Sequence, residues 1–124
     1  MEKGVVTRRE IEEKLSKVGD YVKMDYLQRC LKQQIDFDTR KFVQTTLAKI
    51  YEGGNMFLEA AKLIRAAAEI NTTYEAKMND YMKSVELFIK AGNYDEADIS
   101  FTKALACANE MQKSRIRVKQ KEFY

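Results

Sequence analysis

The chain has 124 residues, a net charge of +3, 45% hydrophobic and 33% charged residues, and neither histidine nor proline. That is one domain's length, with enough apolar content for a core and too much for a disordered segment. Lacking histidine, it lacks the commonest general base, metal ligand and triad partner, and +3 alone is too small to imply a nucleic-acid or membrane partner.

Six helices can be marked from start and stop signals. Thr7-Arg8-Arg9-Glu10 reads as a capping box, opening a helix that carries Ile11, Leu15 and Val18 and stops at Gly19. The second starts at Asp20, carries Val22, Tyr26, Leu27, Cys30 and Leu31, and blurs into the polar stretch Lys32 to Asp36. Asp38 is the expected cap of the third, whose apolar positions Phe42, Val43, Leu47, Ile50 and Tyr51 recur every three or four residues before Gly53-Gly54-Asn55 ends it. The fourth, about Met56 to Ile70, is rich in alanine, which suits closely approaching helices. Asn71-Thr72-Thr73 breaks the chain, and Thr72 with Glu75 reads as a second capping box.

Tyr74 to Ala91 forms the fifth helix, with Met78, Tyr81, Met82, Val85, Phe88 and Ile89 on its apolar stripe. Gly92-Asn93 turns the chain, and Asn93 with Glu96 can cap the next start. The sixth helix is expected to run from Tyr94 through Phe101, Leu105 and Met111 to the end of the sequence, roughly thirty residues and longer than usual. Ile116 and Phe123, seven residues apart, share a stripe.

Two stretches repeat one another. Leu47-Ala48, Tyr51, Gly54, Ala60, Ile64 and Ala67 are followed by Val85, Phe88, Gly92, Ala97, Phe101 and Ala104, offset by 97 − 60 = 37 residues. This pattern resembles the tetratricopeptide repeat family, whose helix-turn-helix period is about 34 residues. The resemblance implies an all-α fold, an α-α superhelix of about six helices in three antiparallel pairs, in a single domain spanning 1–124. Its repeats would cover about 5–36, 38–72 and 73–111, followed by a basic helical extension, 112–124. Each pair leaves an apolar face that only a stacked neighbour covers.

The third repeat fits best, through Gly92-Asn93-Tyr94-Asp95-Glu96-Ala97 and then Phe101 and Ala104. In the second, the glycine pair comes one residue early. The first matches only at Ile11, Leu15, Gly19-Asp20-Tyr21 and Leu31, with Glu12, Met24 and Gln28 departing from the pattern. The three-residue excess and the polar Asn71-Thr72-Thr73 connector are more similar to the divergent superhelices of vesicle-fusion attachment proteins and proteasome-lid subunits than to a regular array.

The resemblance implies a non-catalytic scaffold that binds a peptide or protein on the concave face lined by the first helix of each pair. Carried onto this sequence, that face comprises Arg9, Glu13 and Lys17, then Phe42, Thr45, Lys49 and Glu52, then Asn79, Met82, Glu86 and Lys90. Its charges are mixed and it lacks the family's lysine-and-asparagine clamp for a terminal carboxylate. Met82 and Phe42 suit an extended or helical segment with an apolar anchor. Catalysis is not expected, because the adjacent acids Glu12-Glu13 and Asp95-Glu96 point about 100° apart on a helix. Gly53-Gly54 is followed by Asn-Met-Phe rather than a phosphate-binding lysine, and no cofactor or metal site is expected.

The basicity sits at the C-terminal end. Between Met111 and Glu122 the five cations Lys113, Arg115, Arg117, Lys119 and Lys121 oppose one anion, so the rest of the chain nets 3 − 4 = −1. The alternative function is nucleic-acid binding through this helix. Against it, Lys113, Arg117 and Lys121 share one side, Arg115 and Lys119 lie nearly opposite, and only Phe123 and Tyr124 could stack on bases. A third reading is self-association through Ile116, Val118 and Phe123, which have no partner evident in the sequence. Cys30 and Cys107 lack metal or redox spacing and read as buried thiols in a reducing, cytoplasmic compartment. No stretch approaches the roughly 20 apolar residues of a membrane span.

Overall fold

The computed structural model describes residues 6–123. Val5, at the expected start of the first repeat, and Tyr124, one of the two aromatics of the basic extension, lie outside the described residues.

The described residues form seven α-helices and no strand: α1 (Arg8–Leu15), α2 (Asp20–Leu31), α3 (Phe37–Gly53), α4 (Phe57–Ile70), α5 (Tyr74–Lys90), α6 (Tyr94–Ala106) and α7 (Glu110–Phe123). The seventh helix corrects the expected six. The long final helix breaks at Cys107–Asn109 because Asn109 and Gln112 cap a new start reciprocally. The Gln112 amide donates to Asn109 Oδ1 at 2.8 Å, and the Asn109 amide donates to Gln112 Oε1 at 2.9 Å.

Capping also moves other boundaries. Thr7 and Glu10 form the expected box, but α1 stops at Leu15, where the Ser16 hydroxyl donates to the Glu13 carbonyl at 2.7 Å. Lys17 and Val18 therefore lie in the turn, not on the helix. Asp36, rather than Asp38, caps α3: its carboxylate accepts the Thr39 amide at 2.8 Å, and that bond holds its pKa below the ordinary carboxylate value. Thr73, rather than Thr72, caps α5 by accepting the Ala76 amide at 3.1 Å. Asn93 caps α6 as expected, accepting the Glu96 amide at 3.2 Å. Before it, Gly92 takes φ +77°, a left-handed turn that glycine adopts without steric cost.

Packing follows chain order. α4 lies against both α3 and α5, α6 against α5, α2 against α3, and α7 against α6. Alanines on α4 (Ala60, Ala61, Ala67 and Ala68, all buried) allow the close approach, and Phe88 and Phe101 fill the centre of the core. Side chains also join helices two apart in the sequence. Arg65 of α4 meets Glu96 of α6 at 2.6 Å, and Glu69 meets Lys103 at 3.1 Å. Glu52 of α3 meets Lys83 of α5 at 3.3 Å, and Lys41 of α3 pairs with Asp80 of α5. In the middle of the chain, ion pairs thus tie α3 to α5 and α4 to α6.

The ends are looser. α1 buries Ile11 and meets α3, where the Arg8 guanidinium lies 4.4 Å from the centre of the Phe42 ring. Of the two cysteines expected to be buried, Cys30 is (1% exposed), whereas Cys107 is half-buried because α6 ends there; both are free thiols.

Candidate functional site

The eleven residues assigned to a concave face fall into three groups. Arg9 and Glu13 are exposed on α1 and face each other at 3.9 Å, and Lys17 sits in the following turn. On α3, Phe42 lies half-buried beneath Arg8, and the Thr45 hydroxyl donates to the Lys41 carbonyl at 2.9 Å, so both serve the fold. Glu52 is held by Lys83. Lys49 borders an opening of about 610 Å³ between α1, α2 and α3, with Leu15, Met24 and Ile50 beside it.

On α5 the outcome is different. Asn79, Met82 and Glu86 line a groove of about 510 Å³ whose opposite wall is α7. Its apolar lining is Met78 and Met82 from α5 with Ile116 and Phe123 from α7. Lys90 lies outside the groove, 3.7 Å from Glu86 and with its ammonium 5.6 Å from the Phe57 ring centre.

The basic residues divide as their spacing predicted. Arg115 and Lys119 line the same groove. Lys113 pairs with Glu110 at 3.2 Å, while Arg117 and Lys121 are exposed and do not line it. The groove therefore joins residues from two separate sequence expectations. Glu75, Met78, Lys83 and Gln112 also line it and were not among the expected site residues; Met78 stood on an apolar stripe and so read as core, whereas Ile116 and Phe123 were expected on a self-association surface.

Ile116 and Phe123 do not form the unpartnered apolar surface the sequence suggested. Ile116 is 5% exposed, and the Phe123 ring packs on Phe101 with centres 6.3 Å apart. Of the three residues proposed for self-association only Val118 stays open, at 57%.

Electrostatically the two walls differ. Lys83 of α5 is engaged by Glu52 and, at 3.9 Å, by Glu86, which also meets Lys90. Arg115 and Lys119 enter no ion pair among the described residues; the Arg115 guanidinium donates to the Met111 sulfur at 3.5 Å. The perturbed phenols and thiol lie elsewhere. Burial pushes Tyr26 up to about 12, with Cys30 beside it adding to the rise, and burial also raises Cys30 and Tyr81.

Of the adjacent acids, Glu12 pairs with Arg8, Glu13 with Arg9 and Glu96 with Arg65. Among the described residues no group of three or more Cys, Asp or Glu side chains could hold a metal ion, and no helix is long and apolar enough to cross a membrane. No family profile, curated protein or solved structure matches this chain.

Proposed function

We propose that the chain is a non-catalytic, tetratricopeptide-like scaffold that binds a segment of another protein in the α5–α7 groove and so helps assemble a complex. Burial at the repeat offset supports the repeat reading: Ala48 and Val85, Tyr51 and Phe88, Ala60 and Ala97, Ile64 and Phe101, and Ala67 and Ala104 are buried in both copies. The two free thiols support a reducing, cytoplasmic setting.

The observation that carries the binding reading is the groove itself. Two helices not consecutive in the chain present flexible methionine side chains and a phenylalanine between polar edges. Such a surface desolvates apolar anchors while its rim fixes register.

A photoreactive amino acid placed at exposed Asn79 should crosslink a partner protein in the native cell, identifiable by mass spectrometry. The same probe at Arg117 should not capture that protein, and Met82→Glu should abolish the capture. No specific adduct at Asn79, or one that persists in Met82→Glu, would overturn the reading. Tight oligonucleotide binding with a steep salt dependence would replace it with the nucleic-acid alternative.

A further inference from the structure

The groove's two unequal edges specify its occupant more narrowly. We propose that the bound segment is an amphipathic helix of another protein, with carboxylates four residues apart flanking its apolar stripe and meeting Arg115 and Lys119. The proposal rests on the groove reading above.

Three observations converge on it. Arg115 and Lys119 stand four residues apart on the exposed edge of α7, and neither has a carboxylate partner among the described residues. The facing wall carries two carboxylates, Glu75 and Glu86, and its one cation, Lys83, is engaged by Glu52 and Glu86. Unmatched positive charge is therefore concentrated on one wall, at the spacing of two carboxylates one helical turn apart on a ligand helix.

Second, the lining offers two apolar rows. Met78 and Met82 are four apart on α5; Ile116 and Phe123 are seven apart on α7. An apolar ridge at positions i, i+3 or i+4, and i+7 seats between such rows.

Third, both walls are helices, whose interior backbone groups are spent on their own hydrogen bonds. An extended segment would find no strand edge to pair with and would leave its amides to water. A helical segment satisfies its own. A single-stranded nucleic acid is poorly served, because Phe123, the one aromatic ring lining the groove among the described residues, is already packed on Phe101.

The test uses two fluorescein-labelled helical peptides with the same leucine stripe, one flanked by glutamates at i, i+4 spacing and the other by lysines. Binding to the full chain is read by anisotropy at low salt. The glutamate peptide should bind three- to thirtyfold more tightly, roughly the value of two exposed charge pairs. The order should invert in the double variant Arg115→Glu, Lys119→Glu, and both peptides should be lost in Met82→Glu. Circular dichroism should show all variants folded; if Met82→Glu is not, Met82→Ala, with reduced affinity for both peptides, takes its place.

Equal affinities, a preference for the lysine peptide, or a preference untouched by the double reversal would overturn the proposal. So would binding of neither peptide, or a solution dimer that Met82→Glu dissociates. A partner crosslinked through Asn79 alongside any of these results would leave the groove reading standing and remove only the acidic helix. No crosslink together with no peptide binding would remove both.

Discussion

At the scale of single residues, Tyr26 shows how local burial sets a measurable property. Its hydroxyl meets the Cys30 thiol one turn along α2, and burial, the largest cause, with Cys30 adding to it, raises the Tyr26 pKa from 10.0 to about 12. The neutral phenol is favoured in the folded chain. This contribution to stability is therefore complete below pH 10, where the unfolded phenol begins to ionise, and is lost as pH rises toward 12. Ultraviolet titration of the folded protein should assign a phenolate step near pH 12 to Tyr26, seen as the difference between wild type and Tyr26→Phe. The variant should also lose stability less steeply between pH 10 and 12 in urea melts. A difference spectrum centred at pH 10 would show the phenol to be solvated. Neighbours of this kind are only half legible in a sequence. The i, i+4 spacing of Tyr26 and Cys30 placed them on one face, but nothing local announced that Arg8 would cover Phe42 and withdraw that ring from a binding face.

Among the elements, α7 is where the sequence misled most instructively. Leu105 and Met111 continued the apolar stripe of α6, so one long helix was the natural expectation. Asn109 and Gln112 carried the signal for a break, an N-cap residue and its partner three positions on, and side chain-to-backbone bonds at a helix start outweigh a weak stripe. Asp36 against Asp38, and Thr73 against Thr72, were similar contests between two competent caps, and in each the cap that forms is the one whose side chain accepts the amide three residues on. The consequence for binding is direct, since α7 supplies one wall of the groove. Asn109→Ala should destabilise the start of α7 by about 1 kcal/mol. Amide exchange followed by mass spectrometry should then accelerate roughly fivefold in α7 and stay unchanged in α4. Unaltered exchange in α7 would mean that Ile116 and Phe123, not the cap, hold the helix in place.

For the molecule as a whole, the expectation of helices with alanine-lined crossings was legible because 3.6-residue periodicity and burial report the same thing. Leu27 and Cys30 extend that legibility: both stood on the apolar stripe expected of the second helix, and both are buried. Which faces meet to form a groove was not legible, because it depends on where α7 lies after the break at Cys107–Asn109. The packing also implies unequal stability along the chain. α3 to α6 share a continuous core bridged by ion pairs between helices two apart, whereas α1 is held by Ile11, the half-buried Leu15 and the Arg8–Phe42 contact. Phe88, fully buried with the Arg65 guanidinium 4.6 Å from its ring centre, stands in the shared core. Phe88→Ala should cost about 3–5 kcal/mol, a large share of the roughly 5–15 kcal/mol that such domains possess. It should lower the urea midpoint and raise amide exchange across α3, α4, α5 and α6 together. Leu15→Ala should raise exchange in α1 and leave the centre protected. If Phe88→Ala instead opened only α5 and α6 while α3 and α4 kept their protection, the central helices would be two cooperative units, and the ion pairs bridging them would not couple their unfolding.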